Sequence, residues 1–239
     1  MVSIIGELSI ELAAGITKQG TLSLNKPVVI IGAGGHAKVV FEIACARNVE
    51  LIALIDPQIS IAPMFDGIEH WLSDTEISKY SSNDFELVNG LGSLPGQPRR
   101  REHVFCVAKN SGFKFITLIS PQAFVSQYAQ LDEGVQVVTG AVIHSAQIGA
   151  NTLINSAAVV EHDVVIDKHC HVAPNATLCG GVTLAEGVHV GAGAVILQNI
   201  RIGKHAVVGA GAIVTQDIPA YATVFPGRAT IRLGAKNEF

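Results

Sequence analysis

Cysteine is scarce: the 239 residues hold four, none in a CxxC pair or at zinc-ligand spacing, which leaves no basis for a disulfide framework or a structural zinc site. Cys45, Cys106, Cys170 and Cys179 therefore read as reduced, partly buried thiols. No apolar stretch reaches the roughly 18 residues that a membrane span needs. The opening MVSIIGELSIELAAGI carries Glu7 and Glu11 where a signal peptide would have an uncharged core. A cytoplasmic protein with no membrane partner is the expectation. An excess of positive charge is missing too. The formal net charge is −4 and Arg99-Arg100-Arg101 is too short a run to reverse it, so nucleic acid is not an expected partner. That triplet reads as the solvated start of a helix, with contact to phosphate or to a neighbouring subunit as the lesser alternative.

What the chain has in quantity is aliphatic residues, 49% hydrophobic in all, arranged in two different grammars. From Val142 to Val214 an aliphatic residue recurs every six positions, through Ile148, Ile154, Val160, Ile166, Val172, Leu178, Leu184, Val190, Ile196, Ile202 and Val208. Small or β-branched residues follow four places later, as at Ala146, Thr152, Ala158, Cys170, Ala176 and Ala194. A six-residue period implies a three-sided parallel β-solenoid: each hexapeptide is one short strand, three make a coil of about 18 residues, and the stacked aliphatics share one core. Roughly five coils fit between Ala123 and Asp217 with no long loop among them.

The first half reads as α/β. An aliphatic strand over 28–31, a glycine turn, a helix bearing Val39, Val40, Ile43 and Ala44, and a second strand over 51–55 ending in Asp56 make one βαβ unit. A weaker helix near 73–79, a strand near 85–89, a helix from Pro98 to about Lys109 and a strand at 115–119 would complete a small open sheet. The stretch 57–72 and the segment GLGSLPGQP look like loops. Ser120-Pro121 marks the boundary, giving a small Rossmann-like domain over 27–121 and a β-helix over 122–239. Residues 1–26 fit neither and receive no role.

Gly32-Ala33-Gly34-Gly35-His36-Ala37 lies between strand and helix, where backbone N–H groups and the helix dipole suit a phosphate. The spacing also satisfies GxGxxA, with Asp56 placed to accept from a ribose hydroxyl, so dinucleotide binding competes. The short sheet favours a mononucleotide or nucleotide sugar. The alternative is that the glycines only permit a tight turn.

In the solenoid, Glu161, His162 and Asp163 interrupt a bland aliphatic run. Glu161 takes the turn position, so His162 and Asp163 face outward. An 18-residue coil puts His144, His162, Gly180 and Gln198 in one column, about 4.8 Å apart. His162 could act as a base near neutrality, Asp163 could hold its tautomer, and the Gly180 N–H could meet a developing oxyanion. A lone outward histidine is more often plain surface. His144, His169, His189 and His205 are left as surface or interface residues.

Taken together, VVIIGAGGHAKVV, the strand ending LIDP and the hexapeptide half with EHD resemble the nucleotide-sugar N-acetyltransferases and sialic acid O-acetyltransferases of the PglD/NeuD type, over about residues 27–232. The resemblance implies a left-handed β-helix, acetyl-CoA as cosubstrate without a metal, a homotrimer with the acetyl-CoA cleft between two subunits, and a nucleotide-linked amino sugar as acceptor. It puts Gly32, Gly34, Gly35 and His36 near the diphosphate and Asp56 near the nucleoside, with Asn89-Gly90 a weaker match. It makes His162 and Asp163 catalytic, places Asn155 near the acceptor amine, and lines the acetyl-CoA path with His171, Gly180 and Ala210. The expected reaction is N-acetylation of the 4-amino group of a UDP- or GDP-linked deoxyamino sugar. O-acetylation of a sialic or nonulosonic acid, a non-catalytic nucleotide-sugar scaffold and a zinc-dependent carbonic-anhydrase-like β-helix are the alternatives. The usual Gly-x-Pro-Ala of the closing segment is Gly227-Arg228-Ala229-Thr230 here, which leaves its last turn less constrained.

Overall fold

A computed structural model describes residues 26–58, 62–93 and 99–227. The amino-terminal extension and the carboxy-terminal Arg228-Ala229-Thr230 therefore lie outside the described residues, apart from Lys26.

The first unit is a four-stranded parallel sheet built from β1 (Val28–Ile31), β2 (Leu51–Ile55), β3 (Glu69–Trp71) and β4 (Glu86–Asn89), in the order β3-β2-β1-β4. The central strands β1 and β2 are aliphatic because both faces are covered, whereas the edge strand β3 is Glu-His-Trp. Helix α1 (Gly35–Ala46) lays Ala37, Val40, Ile43 and Ala44 on one face, in a core shared with Val138 and Leu153 of the solenoid. Helix α2 (Arg100–Asn110) covers the other with Phe105 and Ala108, beside Trp71, Phe85, Phe113 and Phe115. Two expectations are corrected. The supposed loop 57–72 contains β3, an edge strand that only its pairing with β2 reveals, and the weak helix near 73–79 is a 3₁₀ segment, Asp74–Lys79. The expected strand over 115–119 is split: Phe115 bridges Leu87 of β4, whereas Leu118–Ile119 pairs with Gln136–Val137 and opens the solenoid.

The solenoid has three parallel sheets of seven, six and five strands, every strand two residues long. From Ile148 to Val214 each sixth aliphatic is buried, as expected, and the small residues at Ala158, Ala176, Ala194 and Ala206 are fully buried at the corners. Each turn over this range has one residue in the left-handed region, again every six positions: Asn151, Ala157, Asp163, His169, Asn175, Gly181, Gly187, Gly193, Asn199, His205 and Gly211. That conformation favours Gly, Asn and Asp, which explains why polar and small residues recur there.

The period is not unbroken. Ile143 rather than Val142 points inward, so Ile143 to Ile148 spans five residues, and the coil below pairs with a 17-residue offset, Val142 with Val159 and Ile143 with Val160. The shortened turn moves His144 out of the expected column: it lies beside Glu161, at 4.0 Å, instead of His162. The last coil is shortened too, Val207 pairing with Thr223.

The α/β unit sits on the seven-stranded face. His36 Nε2 bonds Gln136 Oε1 at 2.8 Å, His171 Nδ1 bonds the Ser93 carbonyl at 2.8 Å, and Arg47 Nε donates to the Ile119 carbonyl at 2.7 Å. Among the described residues, no helix is long and apolar enough to cross a membrane.

Candidate active site

His162 stands on the turn between the six- and five-stranded faces, the corner opposite the α/β unit. Its side chain is 66% exposed. Nδ1 lies 2.8 Å from Asp163 Oδ2. An ionised carboxylate only accepts, so Nδ1 carries the proton and Nε2 presents a lone pair to solvent. The bond to Asp163 raises the imidazole above the ordinary histidine range. One coil on, a Cβ at Gly180 would lie 2.7 Å from His162 Cε1 and 2.8 Å from Nε2. Only glycine lets the ring lie against that backbone, and so the expected His162–Gly180 pairing is present.

A second constellation fills the angle between the α/β unit and the seven-stranded face, a cleft of about 760 Å³ lined by Gly35, His36, Asn155, His171, His189 and Arg101 among others. Gly32, with φ +100°, turns the chain between β1 and α1, where any side chain would meet Leu91 Cδ2 at 2.8 Å. Gly34 precedes the first turn of α1 and Gly35 begins it, both with open space where a Cβ would be. Asp56 accepts from the N–H groups of Ala33 (2.9 Å) and Gln58 (3.0 Å), so part of its capacity is spent on holding the glycine turn. Asn155 sits on the seven/six corner, Nδ2 3.2 Å from His171 Nε2.

Asn89 and Gly90 support the cleft from beneath. Asn89 is 1% exposed, and its amide donates to the Arg101 carbonyl (3.0 Å) and to Asn151 Oδ1 (3.1 Å), which leaves no free end for a ligand. Gly90 is pressed against Ile30 and the Ile31 carbonyl. Ala210 is exposed on the seven/six corner, three coils beyond Asn155. Within one chain, then, His171 and Asn155 share the cleft, while His162, Asp163 and Gly180 lie at another corner.

The family model for the PglD N-terminal domain matches residues 27–106, and that for the bacterial transferase hexapeptide, six repeats, matches 145–180 and 181–216. A histidine-to-asparagine variant of perosamine N-acetyltransferase from Caulobacter crescentus, in complex with CoA and GDP-perosamine, is 33% identical over 82% of this chain and 92% of its own, with a TM-score of 0.75. The acetyltransferase domain of PglB from Neisseria gonorrhoeae, with acetyl coenzyme A, is 30% identical over 83% and 95%, with a TM-score of 0.76. The chain belongs to the PglD/NeuD-type hexapeptide-repeat sugar acetyltransferases. WeeI from Acinetobacter baumannii, 23% identical with a TM-score of 0.70, shares the fold.

The chain is an acetyltransferase of this family, and the Caulobacter crescentus and Neisseria gonorrhoeae relatives hold CoA and acetyl coenzyme A. Among the described residues, no three His, Cys, Asp or Glu side chains are grouped to hold a metal ion.

Several residues of the acetyltransferase escaped the sequence reading. His189, taken as surface or interface, lies against His171 with ring centroids 4.8 Å apart and lines the cleft, as do His169 and His205. Gln136 joins His36 to the Asn89 carbonyl. Their signal was an outward position on one face, which becomes informative only once that face is known to be covered. Arg101, expected to be solvated, is 5% exposed.

Burial lowers His36 and His189 to about 4 and His171 to about 3. The unfolded chain takes up protons below about pH 6.5, whereas the native state resists until about pH 4. The contribution of these three imidazoles to stability is therefore constant above about pH 6.5 and is lost as pH drops toward 4. Melting followed by fluorescence should show Tm lower by roughly 10 °C at pH 5 than at pH 7.5.

Asp163→Asn should alter activity rather than folding. With the raising partner gone, the acid limb of the kcat/KM profile moves to lower pH. The high-pH plateau falls about tenfold or more, because Nε2 becomes a weaker base with an unfixed tautomer. An acid limb that stays in place would separate Asp163 from the chemistry.

Proposed function

We propose that this acetyltransferase moves the acetyl group of acetyl-CoA to the 4-amino group of a UDP- or GDP-linked deoxyamino sugar, with His162 as general base. The observation that carries this is the His162 ring against Gly180, Nδ1 held by Asp163 and Nε2 open. Support for a nucleotide-linked amine comes from the glycine turn at the start of α1 and from the 33% identical relative, which holds CoA and GDP-perosamine.

In this reading the amine nitrogen attacks the thioester carbonyl carbon, forming the C–N bond and sending the carbonyl electron pair onto oxygen, where the Gly180 N–H meets it. His162 Nε2 takes the proton from nitrogen. Collapse of the intermediate breaks the C–S bond, and the imidazolium returns the proton to the departing CoA thiolate. Glycines Gly32, Gly34 and Gly35 with His36 hold the diphosphate, Asp56 faces the nucleoside, Asn155 lies near the acceptor amine, and His171 and Ala210 line the acetyl-CoA path. The acetyl-CoA supply makes the cytoplasm the place of the reaction.

The two constellations meet only between chains. The outward residues of the six-stranded face are Phe124, Val142, Val159, Thr177, Val195 and Ile213, a stripe apolar but for Thr177, with Phe124 55% exposed at one end and Ile213 69% exposed at the other. A homotrimer that turns these faces toward a common axis sets the six/five corner of one subunit beside the seven/six corner of the next. His162 and Gly180 then stand beside a neighbour's Asn155 and Ala210, with acetyl-CoA along the shared groove.

The test is CoA thiol release from acetyl-CoA with GDP- and UDP-linked 4-amino sugars, run beside free and CMP-linked sialic acid. Turnover of an amino sugar supports the proposal. Turnover of the hydroxyl acceptor alone moves the assignment to O-acetylation, and binding without release makes the protein a scaffold.

A further inference from the structure

Arg101 is a buried cation with no anion beside it among the described residues. Its Nη1 donates to the carbonyls of Asn89 (2.9 Å) and Leu91 (2.8 Å), and its Nε points at the Asn151 carbonyl (3.4 Å). Its Nη2 is buried and, among the described residues, has no hydrogen-bond partner. Among the described residues no carboxylate pairs with it, and the nearby Glu102 lies 4.0 Å from Arg99. A guanidinium held away from water without a counter-charge is costly, and it persists where a ligand completes it. Burial pulls it down to about 9, so it remains cationic at neutral pH.

Its surroundings accentuate that charge. His36 and His171 stay neutral, lowered first by burial and further by Arg101 itself. Two further buried nitrogens without partners among the described residues, His189 Nδ1 and His205 Nε2, belong to side chains lining the same cleft. The cleft wall also includes Gly35, at the start of α1, where backbone N–H groups point outward with the positive end of the helix dipole. One uncompensated cation, one helix start and two unsatisfied imidazoles match a ligand that is anionic and rich in oxygen.

We propose that Arg101 determines specificity for the phosphorylated part of the substrate, its charge in the cleft wall holding the diphosphate of a nucleotide-linked sugar beside the start of α1. This rests on the nucleotide-sugar reading above and deepens it: the glycine turn accommodates phosphate, and Arg101 makes phosphate obligatory.

The test compares GDP with guanosine, and UDP with uridine, by calorimetric titration of the full-length wild type, Arg101→Met and Arg101→Lys. In the wild type the diphosphate should bind far more tightly than the nucleoside. That ratio should fall about tenfold or more in Arg101→Met and recover in part in Arg101→Lys, since one charge-assisted contact is worth about that much. A purely structural Arg101 would weaken nucleoside and nucleotide equally, and an unchanged ratio overturns the proposal. Should Arg101→Met fail to fold, arginine side-chain NMR of the wild type with inorganic pyrophosphate decides, because a buried guanidinium signal that does not move is equally fatal. If neither nucleotide binds the wild type, the nucleotide-sugar reading itself fails. If both bind and Arg101 is indifferent, only the present inference falls.

Discussion

His162→Ala should reduce acetyl transfer by about 10²–10⁴-fold while leaving the melting temperature within a degree or two. The side chain is 66% exposed, bonded to Asp163 and laid against the Gly180 backbone, so its removal opens no cavity in the core. All of the effect should therefore appear in the chemical step. His162→Asn keeps a polar side chain of similar reach but offers no basic nitrogen, and it should be as poor as alanine. Gly180→Ala is the steric counterpart: its methyl group would stand 2.7 Å from His162 Cε1 and push the ring off the backbone it covers. A wild-type rate in His162→Ala, measured as CoA thiol release at saturating acceptor, would remove this histidine from the mechanism.

Ile213→Asp should abolish activity from a distance. Ile213 makes no contact with the His162 turn, yet it is the most exposed residue of the apolar stripe on the six-stranded face. Burying a carboxylate in three symmetry-related copies of an apolar contact is prohibitive. Light scattering should then give the 25.1 kDa chain mass instead of three times that value. The isolated chain should fold, since its solenoid core is internal, but turnover should fall to about 1% or less because His162 and the cleft reside on different corners. Mixing tests the division directly. If His162→Ala and Asn155→Ala are each inactive, subunits reassembled from the two should regain about a quarter of wild-type turnover, the fraction of interfaces that pair an intact corner with an intact cleft. A monomeric wild type with full activity would overturn the shared site.

The solenoid was legible because its period is a local property: an inward aliphatic every sixth residue is what a two-residue strand and a tight turn demand. The phosphate-type turn between β1 and α1 was legible for the same reason. The interruption at Ile143 was not, since Val142 and Ile143 are both aliphatic and the pattern alone cannot say which faces in. That one-residue ambiguity misplaced His144 by a full column position. β3 was missed because an edge strand of three residues carries no periodicity of its own.

His162, Asp163 and Gly180 belong to what the sequence by itself determined, because an 18-residue coil converts chain spacing directly into neighbourhood. Arg101 belongs to what only the tertiary structure decided. An arginine in a run of three looks solvated, and nothing local says that packing α2 between the sheet and the solenoid will close over its guanidinium. The same holds for His171 and His189: alternation fixes them as outward-pointing, but whether outward means water or a cleft depends on which of the three faces the α/β unit covers. Periodicity specifies direction relative to the chain's own axis, while burial and charge depend on what the remainder of the chain brings to that side.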